Sequence, residues 1–545
     1  MLQSFELDTD SKLHERLLKV SKFPKTLAYW EELLNYLLQL ASPLNKSIDR
    51  QLCKLIRYAY ESMLLQFPYL ENYHVDYALF EFKLGSTAKM HKIFQKALDI
   101  FNQRSILLWV EYLKLCNEVV MSDKALFKKY ETAERYIGLH FYAGEFWEMY
   151  LEQIRQRCKL PHRYVTILRK VIEIPLYDYS VFYSLWLQCI QDVKDLRQLK
   201  WFAPCSELWK KLKINVCLTS RRGPELQEAK AQLRKVTKEL YMVVQYQVME
   251  IYNLFEGKLV THTYTSPSTL IPHEEITTWT KYLDYTATLR IYPLTSLNFQ
   301  RAATVLAHYD VVWLKWANWH AEREGDYVSA QNVLVKGLQL SNRKARILSR
   351  LAVVMIRNGE YSELNTIYDD LITLYQGKLD ALDLQSFLDY VQIKVFLTQP
   401  ISQSRYKSAN DDFLISEELM EIILKRLSSE DEAGHRILLP LLNQMYQRVP
   451  RDLLEKKLFQ RIISSNWSQF LSSGYFWYEY CHMVWFDTGR SYLERRKYIT
   501  KEIWPQAARY RNDGICNALQ QFAASYSPDD LAILSELFDS NSKSE

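Results

Sequence analysis

At 545 residues, with 48% hydrophobic side chains and only 13 Gly and 15 Pro, the chain has the composition of a protein in which little is disordered. Its net charge is a small +5, from 69 Lys and Arg against 64 Asp and Glu. No apolar run approaches the roughly 18 residues that span a bilayer. The N-terminal MLQSFELDTD is acidic and mixed, so neither a membrane segment nor a secretory signal is expected. Eight scattered cysteines without a CxxC pair read as buried, reduced thiols of an intracellular protein.

In chain order, the first predicted helices are led by aromatic residues: Trp30, Tyr73, Trp109, Trp147 and Tyr183, which fall 43, 36, 38 and 36 residues apart. Pairs such as Tyr73 with Tyr77, Trp109 with Tyr112 and Trp147 with Tyr150 are spaced i, i+3 or i+4. Both rings of each pair therefore lie on one helical face. A partner helix follows each, as in the segment around Phe94. Gly85 stands where a helix must stop in the left-handed conformation. Periodicity falters between about 191 and 273. Gly223-Pro224 opens one long predicted helix, roughly 225–255, and Thr263–Pro272 reads as a loop. Repeats resume at Trp279, and residues 398–412 form a softer interruption.

One spacing recurs four times. A large apolar residue precedes a glycine by twelve positions: Tyr73 and Gly85, Trp313 and Gly325, Ile347 and Gly359, Trp477 and Gly489. Gly325 and Gly359 are 34 residues apart, the length of one helix pair. Such a unit cannot bury its own apolar face and must stack on its neighbours. The expected fold is all-α, a helical-repeat solenoid of two arrays joined by a long central helix. The expected divisions are an N-terminal array at 1–200, a basic linker with the long helix at 201–275, a C-terminal array at 276–538 and a disordered tail at 539–545. Gly337 and Ala97, each twelve residues after a repeat glycine, are expected to be small because two helices approach closely there.

Charge is uneven. Between Cys205 and Leu240, nine basic residues, including Lys210, Lys211, Lys213, Arg221 and Arg222, stand against four acidic ones. This window is the candidate contact for RNA or an acidic partner. A second basic cluster, from Arg490 to Arg511, faces only Glu494 and Glu502 in the local sequence. Each is read first as a solvated helix face. No phosphate-loop, dinucleotide, zinc-protease or nucleophile-elbow motif occurs. His308-Tyr-Asp310 reads as structural, and Asp369-Asp370 and Asp411-Asp412 as solvated pairs. The spacing of Trp313, Trp316 and Trp319 favours core packing over a base-stacking platform. No catalytic residue, cofactor site or metal site is expected.

The W-x-x-Y first helices, as in Trp109–Tyr112 and Trp279–Tyr282, and the Phe94–Leu98 second helix resemble HAT (half-a-TPR) repeats. Longer strings, including Phe67–Tyr73, Phe80–Gly85, Ala307–Trp313 and Phe486–Tyr492, resemble the pre-mRNA-processing proteins thirty-nine and forty-two, closer to the second type. The resemblance implies a right-handed, TPR-like solenoid and a nuclear, non-enzymatic scaffold of the U1 small nuclear ribonucleoprotein in 5′ splice-site recognition. It implies pairing with a HAT-repeat paralogue, or with itself, through the C-terminal array. It further implies contact with the core zinc-finger and seventy-kilodalton proteins, reaching U1 RNA indirectly, with pre-mRNA a further candidate contact. Two alternatives stay open: a HAT scaffold of pre-mRNA 3′-end cleavage, and a protein that binds RNA directly.

Overall fold

The computed structural model describes residues 11–45, 48–158, 161–212, 223–323, 325–374, 391–393, 455–510 and 512–542. Among them, every regular element is a helix. The chain packs as two compact units, 1–312 with 340–342, and 313–339 with 343–545.

In the first unit, α1 (Ser11–Lys22) and α2 (Leu27–Leu40) are followed by α3 (Arg50–Gln66), α4 (Glu71–Lys83), α5 (Thr87–Ile100), α6 (Ile106–Val119) and α7 (Asp123–Ile137). Next come α8 (Gly144–Arg157), α9 (Pro161–Ile172), α10 (Tyr179–Gln191) and α11 (Cys205–Leu212). Consecutive helices pair as hairpins: α2 with α3, α4 with α5, α6 with α7, α8 with α9. Gly85 turns the α4–α5 corner at φ +76°. There its N–H reaches the Phe82 carbonyl at 2.8 Å, and the Ser86 N–H reaches that of Glu81 at 2.9 Å. A side chain at this φ would be strained, so the glycine sets the corner.

The predicted long helix is α12 (Pro224–Leu254), with proline in its first turn, where a missing N–H costs nothing. Its buried face, Leu226, Leu233, Thr237, Val244 and Val248, follows helical spacing and lies partly on α10. The Trp186 indole donates to Thr237 Oγ1 at 3.1 Å, and Lys230 Nζ donates to the Gln191 carbonyl at 2.8 Å. Farther along, Val244 and Val248 pack against Phe141 of the α7–α8 corner.

After the predicted loop come α13 (His273–Thr288) and α14 (Tyr292–Val305). Both belong to the first unit, so the packing break falls near residue 312 and differs from the repeat-based division at 276. The reason is that α14 folds back against α7. Asn102 and Gln103, in the turn after α5, take left-handed conformations, and Asn102 Nδ2 donates to Gln300 Oε1 at 2.6 Å.

α15 (Asp310–Arg323) carries the chain from the first unit into the second, which continues with α16 (Tyr327–Leu340), α17 (Lys344–Asn358) and α18 (Tyr361–Leu374). Gly325 and Gly359 take φ +63° and +82°, as the repeat spacing requires. Gly489 does not share that conformation: its helix has already ended at Trp485, and its N–H is held by Asp487 Oδ1 at 2.9 Å. The C-terminal part of the unit contains α19 (Gln460–Ser464), α20 (Ser468–Leu471), α21 (Gly474–Trp485), α22 (Tyr492–Tyr498), α23 (Trp504–Ala508), α24 (Asp513–Tyr526) and α25 (Leu531–Ser542). Thus α25 continues into the expected 539–545 tail as far as Ser542. The expected interruption at 398–412, with Asp411-Asp412, lies outside the described residues.

Candidate interaction surfaces

The repeat residues are locked by one recurrent device. Trp30, Trp109 and Trp477 are buried, and each indole N–H donates to the carbonyl six residues upstream: Pro24 at 2.8 Å, Gln103 at 2.8 Å and Leu471 at 3.0 Å. The buried Trp147 indole donates in the same way to a carbonyl nine residues upstream, that of Gly138, at 3.0 Å. Burying a tryptophan needs a partner for its N–H, and the preceding turn supplies one. Trp279 departs from the pattern; its indole nitrogen is buried without a hydrogen bond. Trp313 is fully buried beside Gly337, where an added Cβ would lie 2.8 Å from the Trp313 Cγ. That close approach was expected from the small residue. Phe94 is fully buried, and Ile347 fills the slot that tryptophan takes elsewhere. Tyr73 is only half-buried, donating to Glu31 Oε1 at 2.8 Å, while Tyr77 occupies the interior of α4.

A second device was not foreseen. In five first helices an interior tyrosine packs on a ring of the element before it, with centroids 4.7–5.0 Å apart: Tyr77 on Tyr60, Tyr112 on Phe94, Tyr150 on Tyr130, Tyr282 on Phe255, Tyr480 on Phe459. Three of these hydroxyls donate to a carboxylate on that element: Tyr77 to Glu61 at 3.1 Å, Tyr282 to Glu256 at 2.9 Å, Tyr480 to Glu455 at 3.0 Å. The sequence held a signal in Tyr60-Glu61 and Phe255-Glu256, an aromatic followed directly by glutamate.

The strongest of these clusters is buried. Arg301 Nη1 donates to Glu256 Oε1 at 2.7 Å and Nη2 to Oε2 at 3.0 Å, and Nη1 also donates to Asn298 Oδ1 at 3.1 Å. The guanidinium lies over the Trp279 ring, 5.5 Å from its centroid. Burial alone would push the Glu256 carboxyl up, but Arg301 outweighs it and holds the group below the usual range. His140 is also buried. Burial, with Arg301 and His262 nearby, keeps its imidazole well below its ordinary pKa. The Tyr142 N–H donates to its Nδ1 at 3.0 Å, which requires that nitrogen to be unprotonated.

The predicted basic window divides. Lys210 is exposed near the end of α11. Lys211 lies on the same helix with its side chain outside the described residues, as are Lys213, Arg221 and Arg222 altogether. Lys230 is structural, capping α10, whereas Arg234, Lys235 and Lys238 are exposed on α12. In the second cluster, Arg490 pairs with Glu455 at 2.7 Å and Arg496 with Asp530 at 2.7 Å. Arg495 donates to the Trp485 carbonyl. The local sequence hid these distant acceptors, and much of that cluster is internal wiring.

Of the other candidates, His308 is held in place: its Nδ1–H donates to the Leu340 carbonyl at 3.0 Å, and its ring meets Tyr264 edge-on. Trp316 is buried and Trp319 half-buried. Among the described residues, no three His, Cys, Asp or Glu side chains are placed to hold a metal ion. No helix there is long and apolar enough to cross a membrane. Cys116 and Cys481 are buried free thiols, but Cys53, Cys158, Cys189 and Cys516 are half-exposed, so burial was overestimated for these four.

The family description "PRP39 N-terminal HAT repeat" matches residues 15–188, and "PRP39 C-terminal HAT repeat" matches 252–387. The chain belongs to the PRP39 HAT-repeat family. It is 48% identical over 531 residues to the U1 small nuclear ribonucleoprotein component PRP42 of Saccharomyces cerevisiae, covering 97% of this chain and 98% of that one. Pre-mRNA-processing factor 39 of Schizosaccharomyces pombe is 21% identical over 67% of this chain and 61% of its own length. The human factor of that name is 19% identical over 48% of this chain and 42% of its own length. The HAT family and the helical-repeat fold expected from the W-x-x-Y helices are therefore both present.

Proposed function

We propose that the chain is a non-catalytic scaffold subunit of the U1 small nuclear ribonucleoprotein, acting in the nucleus in 5′ splice-site recognition and early spliceosome assembly. The observation that carries this is the end-to-end 48% identity to a U1 component. The physical reading agrees with it. Stacked helix pairs lock their aromatic residues inside and leave outer helix faces as extended docking ground. On this reading the protein bridges core subunits, a zinc-finger protein and a seventy-kilodalton protein, to peripheral ones. The C-terminal array pairs with a HAT-repeat paralogue or with a second copy.

Purification of the tagged protein tests the assignment. Recovery of U1 RNA is expected; recovery of 3′-end cleavage factors in its place overturns it. Mass measurement alone and with the paralogue decides the pairing. Direct RNA binding is tested by salt titration with U1 RNA. Tight binding that weakens steeply with salt, and is lost on changing Lys210, Lys211 and Arg222 to Glu, would favour that reading over an indirect link.

A further inference from the structure

Within the first unit, charge is sorted between the two kinds of helix. The second helices α5, α7 and α9 carry ten Lys and Arg against four Asp and Glu, whereas the first helices α4, α6 and α8 carry four against eight. On α5, Lys89, Lys92 and Lys96 follow i, i+3, i+7 spacing, away from the buried Phe94 and Leu98. On α7, Lys124, Lys128 and Arg135 follow i, i+4, i+11 spacing, away from the buried Tyr130 and Ala133. All six cations are exposed. The two helices flank α6 side by side: Lys129 Nζ donates to the Tyr112 hydroxyl at 2.6 Å, and His91 Nδ1 lies 3.1 Å from the same oxygen. The stripes run about 10 Å along α5 and about 16 Å along α7.

The acidic residues of these two helices are engaged elsewhere. Asp99 accepts from Gln103 Nε2 at 2.7 Å, and Asp123 pairs with Arg157 of α8 at 3.3 Å. Glu131 and Glu134 pair with Arg163 and Lys170 of α9 at 3.2 and 2.9 Å. Glu131 stands on the α7 stripe itself, where Arg163 balances it. None of the six cations has a carboxylate within 4 Å among the described residues. No large apolar or aromatic side chain described on α5 or α7 is exposed. Protein partners are held by apolar and aromatic anchors and avoid lysine, so this face has the reverse composition. Single strands are held by aromatic platforms that stack their bases, and none is present. We propose that α5 and α7 hold the phosphate backbone of an RNA double helix, whose bases are stacked inside and which is recognised by charge and shape. That the duplex is RNA rests on the scaffold reading; the inference deepens it by giving the scaffold a direct hold on RNA outside the 205–240 window.

The test uses the full chain and a labelled RNA duplex of about 16 base pairs, followed by fluorescence anisotropy. With six phosphate contacts, the logarithm of the binding constant should fall against log salt with a slope of roughly −5. Changing Lys92, Lys96 and Lys128 together to Gln should flatten that slope by about 3 and weaken binding tenfold or more, with circular dichroism unchanged. Duplexes of different sequence should bind alike, and a single strand at least tenfold more weakly. A slope that the triple variant leaves unchanged, a single strand bound as tightly as the duplex, or competition by poly-glutamate as effective as by unlabelled duplex overturns the site. Loss of duplex binding on changing Lys210 and Lys211 alone to Glu also overturns it, since the contact then lies in the 205–240 window. Recovery of U1 RNA with the unaltered protein tests the scaffold reading separately.

Discussion

Replacing Arg301 by Met tests whether the buried ion pair is a keystone of the first unit. The Glu256 side chain is 0% exposed and that of Arg301 9%, so neither charge has water as an alternative partner. Two charges in such contact attract by roughly 4 kcal/mol at an effective dielectric of 20. Removing one leaves the other buried and uncompensated, which costs about 3–5 kcal/mol. After Arg301→Met, the Glu256 carboxylate would keep only the Tyr282 hydroxyl among these partners. Single variants Arg301→Met and Glu256→Met should therefore each lower unfolding stability by about 3–5 kcal/mol. The double variant should be less destabilised than either, because no orphan charge remains and methionine fills comparable volume. Urea unfolding of the full chain, with hydrogen exchange on α13 and α14 to place the loss in the first unit, measures both. A double variant whose loss is the sum of the two singles refutes the reasoning, as does an Arg301→Met protein within about 1 kcal/mol of the unaltered chain.

Three further outcomes are expected. Trp313→Ala, at a fully buried position, should cost about 3–5 kcal/mol in urea unfolding through the cavity it leaves. Gly337→Ala gains about 1 kcal/mol in helix propensity but forces a Cβ to 2.8 Å from the Trp313 ring, where overpacking costs about 1–3 kcal/mol. A lowered thermal midpoint shows that the clash wins. His140 titrates below its ordinary value when folded, so below about pH 6.5 the unfolded chain binds the extra proton. Stability should then fall with pH, by at most about 1.4 kcal/mol per unit from this group. His140→Asn should flatten that slope in melts from pH 7 to 5.

The repeat architecture was legible because helical stacking imposes local spacing. Trp30, Trp109, Trp147 and Trp477 mark first helices, and Gly85, Gly325 and Gly359 adopt the left-handed turns their positions required. Glycine identity alone misled at Gly489, where an aspartate turn does the work instead. The pairing of Arg301 with Glu256, 45 residues apart, and of Arg496 with Asp530, 34 apart, was not legible. No periodicity links a charge to an acceptor on a different helix. The same blindness inflated the second basic cluster. The long helix α12 was legible at roughly 225–255 from Gly223-Pro224 and helical spacing, but which of its faces water would touch depends on α10 and Phe141.

The return of α14 onto α7 has a consequence for ancestry. Open-ended repeat arrays drift by gaining or losing whole units, since each unit touches only its neighbours. Here Asn102 and Gln300 must meet across nearly two hundred residues. An extra or missing helix pair between them would carry one away from the other, so copy number in this stretch is pinned while that contact is kept.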